Sequence, residues 1–190
     1  MRRLSSSIAL VAGIAMFSSA TAASEKARGR LPAWALEAWN KADGPAAASV
    51  FRYAETVVIP CRRRDIEKKC SLAGLAEFVK IFHSRPYEAP SYALAAIYYN
   101  PDTGNALVLD ASIFRKASSG AYVRLRGVDG LIGPVDSATL NDDVFSVTTS
   151  TLMPDDPHCC PSGRTVWRVP IKDGKATYES GYKDPGWKIR

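Results

Sequence analysis

The residues of this chain best suited to chemistry lie close together in the stretch Met153–Gly163, which reads MPDDPHCCPSG. Two adjacent cysteines, Cys159 and Cys160, follow two carboxylates and a histidine, and the chain has only two further cysteines, Cys61 and Cys70. Such residues can form disulfides, bind a soft metal or exchange thiols with a partner. The question is which of these three uses the sequence favours.

Local geometry favours disulfides from the adjacent pair to distant partners. Pro161 biases Cys160 toward an extended conformation, in which successive side chains point to opposite faces. A bond between neighbours also holds the Cα atoms about 3.8 Å apart, below the usual range of roughly 4.4 to 6.8 Å. Bridges to Cys61 and Cys70 would each contribute about 4.7 kcal/mol in the chain-entropy model, against somewhat under about 3 kcal/mol for a local Cys61–Cys70 bond. We favour the long-range bridges; a Cys61–Cys70 bond with an adjacent pair, or free thiols, are the alternatives.

A thiol-redox or soft-metal site at His158, Cys159 and Cys160 is the second hypothesis for this loop. Thiolate and imidazole are suitable ligands for copper or zinc. However, the C-x-x-C spacing that lets two sulfurs converge on one ion is absent. The sequence therefore predicts no metal site and no cofactor.

Catalytic motifs are missing elsewhere. The triplet Asp102–Gly104 resembles that of an aspartic protease, but it lies in the polar sequence NPDTGN, which is typical of a turn. The chain has two histidines and no Ser-His-Asp arrangement, H-E-x-x-H motif or phosphate-binding glycine loop. No sequence motif supports an enzymatic function, and a non-catalytic structural or binding module is the leading interpretation.

The N-terminus predicts the compartment. Arg2 and Arg3 precede an apolar run over residues 8–17, and Ala20 and Ala22 form an A-x-A pattern. This combination indicates a secretory signal peptide over residues 1–22, and the apolar run is too short to cross a bilayer. We expect residues 23–190 to be a single domain, periplasmic or secreted, with no membrane span after cleavage.

The charge of the chain suggests few partners. The formal net charge is +6, or +4 after removal of the two arginines near the N-terminus. This small excess does not predict a nucleic-acid partner. A basic run at Arg62, Arg63 and Arg64 could bind an envelope component or another anionic surface, although a solvated loop is the simpler interpretation.

Helices are predicted in the first half of the mature chain. Residues 31–39 have the apolar spacing of a short amphipathic helix, and the alanine-rich residues that follow predict a helix that ends before a short strand at Thr56–Ile59. Ser71 is a suitable N-cap for a longer helix that ends before Pro86. Its apolar face comprises Leu72, Leu75, Phe78, Val79 and Phe82.

From Ser91 onward the pattern is that of β-strands. Seven segments rich in β-branched and aromatic residues are separated by turn sequences, including NDD and the Asp173–Gly174 pair. The sequence therefore predicts an α+β fold, with the N-terminal helices packed on an antiparallel β-meander of about six or seven strands.

The segment FSVTTSTLMPDDPHCCPSGRTVWRVPIKDGK resembles the signature of the LppP/LprE-like family of small exported bacterial proteins. The residues YYNPDTGNALVLDASIFR and SGAYVRL are similar in layout to the strands that precede this signature. The resemblance covers about the C-terminal half of the chain, and it implies an exported, sheet-based domain without implying an activity. The signature residues are Asp156, Pro157, His158, Cys159, Cys160, Pro161 and Ser162.

Overall fold

The computed structural model describes residues 44–61, 69–85, 90–99, 107–157 and 160–184. In chain order the elements are α1 (Gly44–Thr56), β1 (Val58–Pro60), β2 (Lys69–Ser71), α2 (Leu72–Leu75), β3 (Phe78–His83), β4 (Tyr92–Tyr99), β5 (Leu107–Lys116), β6 (Tyr122–Gly127), β7 (Val135–Asn141), β8 (Val144–Thr151), β9 (Gly163–Pro170) and β10 (Thr177–Lys183). The predicted signal peptide and the predicted helix over residues 31–39 lie outside the described ranges.

The first large sheet is antiparallel, with the strand order β3-β4-β5-β6. Six consecutive residues of β4 are buried, which means that both faces of this sheet are covered. On one face Ala95 and Ile97 pack against Val50 and Ala54 of α1. The other face contributes Leu94, Ala96, Tyr98 and Ile113 to a core shared with the second sheet.

The second large sheet has the order β10-β9-β8-β7, and its inner face buries Phe145, Val147 and Val169. Polar contacts at Val135 join it to the first sheet. The Val135 N–H donates to the Tyr98 hydroxyl over 3.0 Å, and the ammonium group of Lys80 donates to the Val135 carbonyl over 2.8 Å. Burial raises the pKa of Tyr98 far above its ordinary value, so this hydroxyl stays protonated.

The predicted arrangement of helices on one meander is wrong. The described residues form three antiparallel sheets of two, four and four strands, together with two helices. The break occurs in residues 128–134, where Gly130 and Gly133 have φ of 81° and 87° and redirect the chain after β6. Strand β7 therefore begins a new sheet, which covers the face of the first sheet opposite α1.

The predicted helix after Ser71 is also mostly wrong. The Ser71 hydroxyl does accept a hydrogen bond from the Gly74 N–H over 3.1 Å, but α2 ends at Leu75. Phe78–His83 instead forms β3 and pairs with β4 without interruption. The apolar residues of this segment satisfy both periodicities, and pairing with a deeply buried strand decides between them.

The seven strands predicted from Ser91 onward are present as β4 to β10. The NDD sequence forms a tight hairpin turn, because Asp142 and Asp143 both have positive φ and Asn141 pairs with Val144. The sequence also predicts a two-residue hairpin turn at Asp173 and Gly174, and this length is wrong. Strand β9 ends at Pro170 and β10 begins at Thr177, so Asp173 and Gly174 lie within a longer connection.

Candidate functional site

The signature residues lie in the loop that joins β8 to β9, and residues 152–162 are called the signature loop below. Asp156, Pro157, Cys160, Pro161 and Ser162 are described, and all five lie in this loop. His158 and Cys159 lie outside the described residues. The loop begins and ends on adjacent strands in the middle of the second sheet.

The Asp156 carboxylate closes the loop. Its Oδ2 atom accepts hydrogen bonds from the backbone N–H of Met153 (2.8 Å) and of Ser162 (2.6 Å), and its Oδ1 atom accepts one from the Ser162 hydroxyl (2.6 Å). Within the loop, the Cys160 N–H donates to the Pro157 carbonyl over 2.9 Å. One carboxylate therefore fastens both ends of the loop, and we call these three bonds the Asp156 clasp.

The electrostatics favour the ionised form of Asp156. Partial removal from water would by itself raise its pKa, but hydrogen bonds from Ser162 and Met153 and the positive charge of Lys183 outweigh that effect. The pKa of Asp156 therefore lies below its usual range. Hydrogen bonds to a charged acceptor are stronger than those between neutral groups, so the clasp is at full strength at neutral pH.

The closed end of the loop is anchored in the sheet. Ser162 is fully buried, and its carbonyl accepts a hydrogen bond from the Asp184 N–H over 2.8 Å. Gly163 begins β9 in tight surroundings: a Cβ at this position would lie 2.7 Å from the Met153 sulfur and 2.8 Å from the Thr151 carbonyl oxygen. The local packing therefore requires glycine here.

Arg164 fixes the same end of the loop from the neighbouring side. Its guanidinium group forms ion pairs with Asp136 (3.2 Å) and Asp184 (2.9 Å) and also donates to the Pro161 carbonyl over 3.3 Å. Asp136 in turn accepts a hydrogen bond from the Ser150 hydroxyl over 2.8 Å. Sequence reasoning missed Asp136, which lies in β7, and Asp184, which follows β10, because no local spacing links them to the loop.

The cysteine pairing differs from the favoured prediction. Cys61 and Cys70 are bonded to each other, so neither can be the predicted long-range partner of the CC pair. This bond spans the antiparallel hairpin of β1 and β2, where Cys70 pairs with Ile59. Hairpin pairing brings the two cysteines together, and this proximity outweighs the larger entropic term of a long loop. Cys160 is disulfide-bonded as well.

A second polar cluster joins α1 to the first sheet, and sequence reasoning did not find it. The Tyr53 hydroxyl donates to Asp110 over 3.2 Å, Ser112 donates to the other Asp110 oxygen over 2.8 Å, and Arg124 donates to the Ser112 hydroxyl over 3.1 Å. The Arg124 guanidinium also lies 4.4 Å from the centre of the Tyr53 ring. Burial and the nearby Asp110 charge raise the pKa of Tyr53. Each group is used in holding the helix to the sheet.

The remaining predicted sites are not described. Arg62, Arg63 and Arg64 lie outside the described residues. Within the described ranges, no group of three or more His, Cys, Asp or Glu side chains could hold a metal ion. None of the helices in those ranges is long and apolar enough to span a membrane.

Comparison with protein-family models, with curated proteins and with solved structures gives no match to this chain. The resemblance to the LppP/LprE-like family therefore stays a prediction, based on the residues of the signature loop.

Proposed function

We propose that this protein is an exported, disulfide-stabilised, non-catalytic module of the bacterial envelope, structural or binding in role, and that the signature loop is the element it presents. The Asp156 clasp is the observation that carries the proposal. It gives the carboxylate of the signature a structural use, because all three hydrogen bonds close the loop on itself. A loop fixed at both ends on a sheet is suited to presenting residues in one conformation.

The other charged groups around the loop support a non-catalytic role. Asp136 and Asp184 both pair with Arg164, so each carboxylate is used in fixing the sheet end. A general base or nucleophile needs a group within reach of a substrate and an arranged partner that activates it. The contacts of Asp136, Asp156 and Asp184 hold the protein together instead.

Export can be tested with the first thirty residues alone. We expect residues 1–30, fused to an alkaline phosphatase without its own leader, to give enzyme activity in a bacterial host, because the phosphatase matures only outside the cytosol. Replacing residues 8–17 of the fusion by a polar sequence is the control and should abolish the activity. Equal activity from both fusions would contradict export through this segment.

A binding role through the basic run can be tested with vesicles. We expect the mature protein to sediment with vesicles that contain phosphatidylglycerol and to be released as the salt concentration rises. The charge-reversed variant Arg62→Glu, Arg63→Glu, Arg64→Glu should lose this sedimentation, and phosphatidylcholine vesicles provide the neutral control. Sedimentation that is unchanged after charge reversal would overturn this role for the three arginines.

Thiol–disulfide exchange at the signature loop is the second candidate function. The observation that favours it is that Cys160 is disulfide-bonded while Cys61 and Cys70 use each other. Cys159, the remaining cysteine of the sequence, lies outside the described residues, and we propose it as the partner of Cys160. A disulfide between neighbours falls outside the usual Cα separation and is easily reduced. Copper or zinc binding at His158, Cys159 and Cys160 would require that reduction first, since the thiolate is the ligand.

A tryptic map without reductant separates these possibilities. Trypsin leaves Cys61 in the peptide 53–62, Cys70 in the peptide 70–80, and both Cys159 and Cys160 in the peptide 127–164. We expect the first two peptides to be linked, and the third to run alone with a mass lighter by two hydrogens than its dithiol form. Free thiols in the third peptide, or a link from it to either of the others, would contradict the exchange hypothesis in this form.

A further inference from the structure

Strand β10 is the outer strand of the second sheet, and the solvent side of this strand is open. In the described part of the chain it pairs with β9 alone, and all seven of its residues are exposed. The opposite edge of the same sheet is covered, because β7 packs against β3, whose Lys80 donates to the Val135 carbonyl over 2.8 Å. An exposed edge presents backbone N–H and C=O groups to which another strand can bind.

The direction of the backbone groups of β10 identifies which of them point to solvent. The Asp184 N–H donates to the Ser162 carbonyl over 2.8 Å, so the backbone of Asp184 faces β9. In a regular antiparallel ladder the backbone groups of every second residue face the same neighbour. Tyr182 and Ser180 therefore also face β9, whereas Gly181 directs its N–H and C=O away from the sheet.

Two exposed tyrosines lie close to this outward-facing glycine in β10. Tyr178 and Tyr182 expose 65% and 49% of their surfaces. The Tyr178 ring is edge-on to the Trp167 ring, with the ring centres 6.3 Å apart, and this contact limits its orientations before a partner binds. Tyrosine is enriched in protein–protein interfaces, since it supplies contact area at a low cost in conformational entropy. The edge therefore combines backbone groups that can pair with side chains that can pack.

The charges along β10 indicate which strand this edge accepts. Glu179 lies two residues before Gly181, and Lys183 lies two residues after it. When a second copy of β10 runs antiparallel with the two Gly181 residues opposite each other, each Glu179 lies opposite Lys183 of the other copy. Opposite charges on paired strands stabilise the pairing. The Glu179 carboxylate also lies 3.5 Å from the Arg168 guanidinium, but both side chains are exposed, and such surface pairs contribute little.

We propose that β10 pairs with β10 of a second copy of this chain, in the antiparallel register centred on Gly181. The second sheets of the two copies, each of four strands, then join into one continuous sheet. This contact uses the same surface on both copies, so it closes at a dimer. The pairing is short, because the register of β10 against β9 shifts between Tyr178 and Ser180 and interrupts the regular edge. We therefore expect a weak dimer that dissociates on dilution.

Sedimentation velocity of the purified protein at increasing concentration tests this pairing. We expect the sedimentation coefficient to rise from the monomer value to the dimer value. Gly181→Pro removes the outward N–H and should abolish the rise, while the bonds of β10 to β9 are retained because they come from the neighbouring residues. Gly181→Ala keeps this N–H and is the matched control, which should dimerise like the unchanged protein.

The register is tested by exchanging the two charges of β10. Glu179→Lys alone or Lys183→Glu alone places like charges opposite each other at both ends of the pairing, so each should raise the dimer Kd about fivefold or more. The double variant restores opposite charges in the same register and should dimerise like the unchanged protein. It lacks Lys183 as well, so its recovery cannot come from the signature loop. Glu55→Lys, at an exposed position of α1, is the control for net charge.

Three results would overturn the proposal. One is a sedimentation coefficient that stays at the monomer value up to about 1 mM protein. Another is a folded Gly181→Pro variant that dimerises like the unchanged protein, and the third is a double charge variant that does not recover. Circular dichroism establishes that each variant is folded, and the charge exchange supplies the test if Gly181→Pro does not fold. Self-pairing uses neither the leader sequence nor the basic run, so it can fail while export and vesicle binding are retained.

Discussion

The β1–β2 hairpin and the signature loop are both closed segments, but different forces close them. The hairpin strands are three residues long, and the outer two residues of each are exposed, so the Cys61–Cys70 disulfide supplies a connection that side-chain packing does not. The signature loop joins two strands of eight residues in a four-stranded sheet, and three hydrogen bonds to one carboxylate close it. Only the loop has its closing contacts anchored on a fully buried residue, Ser162.

This difference between a covalent and a hydrogen-bonded closure indicates which of the two segments responds to solution conditions. A disulfide across a hairpin persists until a reductant breaks it, and it acts mainly by limiting the unfolded chain. A carboxylate clasp depends on the ionisation of one side chain and on the local packing of its donors. We therefore expect the hairpin to affect global stability and the loop to affect local opening.

The largest effect is expected from removing the hairpin disulfide. Replacing Cys61 and Cys70 together by serine should lower the free energy of unfolding by somewhat under about 3 kcal/mol, since the closed loop is short. Urea unfolding followed by tryptophan fluorescence measures the change. The signature-loop disulfide, assayed by the tryptic map, should be intact in this variant. Free thiols at Cys159 and Cys160 in this variant would show that the two regions are coupled.

A smaller loss is expected from adding a methyl group where the loop meets the sheet. Gly163→Ala should destabilise the protein by about 1–3 kcal/mol, because the new Cβ would overlap the Met153 sulfur and the Thr151 carbonyl oxygen. Gly181→Ala is the matched control on the neighbouring strand, where the nearest atom is the end of the Tyr178 side chain at 3.3 Å. Thermal unfolding of both variants makes the comparison, and equal stabilities would contradict the tight fit at Gly163.

A third change weakens the clasp without altering a charge. Ser162→Ala removes the hydroxyl that donates to Asp156 but keeps the backbone N–H, so we expect a loss of about 1 kcal/mol. Thr148→Ala is a suitable control, since Thr148 is a half-buried hydroxyl residue of the same sheet. Urea unfolding distinguishes the two. A loss at Thr148 as large as that at Ser162 would mean that the clasp adds nothing beyond the packing of the sheet.

The strands of the second half could be predicted from the sequence because their signals are local. Alternation within segments such as Val144–Thr151 and the positive-φ turn at Asp142 and Asp143 depend on adjacent residues. How the strands are divided between two sheets depends on residues 128–134, whose path is set by tertiary packing. The same limit explains Phe78–His83, where a strand partner outside the segment overrides a valid helical pattern.

The candidate site was predictable to a similar extent. Asp156, Pro161 and Ser162 could be grouped because they are close in the chain, and the structure places them in one loop. Asp136 and Asp184 could not be found in this way, since they lie in β7 and just after β10, and no local spacing links them to Arg164. The pairing of Cys61 with Cys70 required knowledge of a hairpin whose strands are too short to give a clear pattern.

The smallest change in stability, and the one most specific to the loop, is expected from lowering the pH. The pKa of Asp156 is lower in the folded protein than its ordinary value of 3.8, so the clasp contributes its full stability above that value and loses it as the pH falls through the folded pKa. The charge that acts on this carboxylate is that of Lys183, which favours its ionised form.

The difference in melting temperature between the unchanged protein and Asp156→Asn should therefore be constant above about pH 5 and shrink at lower pH. Asp155→Asn should show no such change. A difference between the unchanged protein and Asp156→Asn that stayed the same down to the lowest pH at which both fold would contradict this expectation. The loop would then be closed by packing around Ser162, like an ordinary turn. Ionisation of Asp156 would not be what distinguishes the loop from the hairpin.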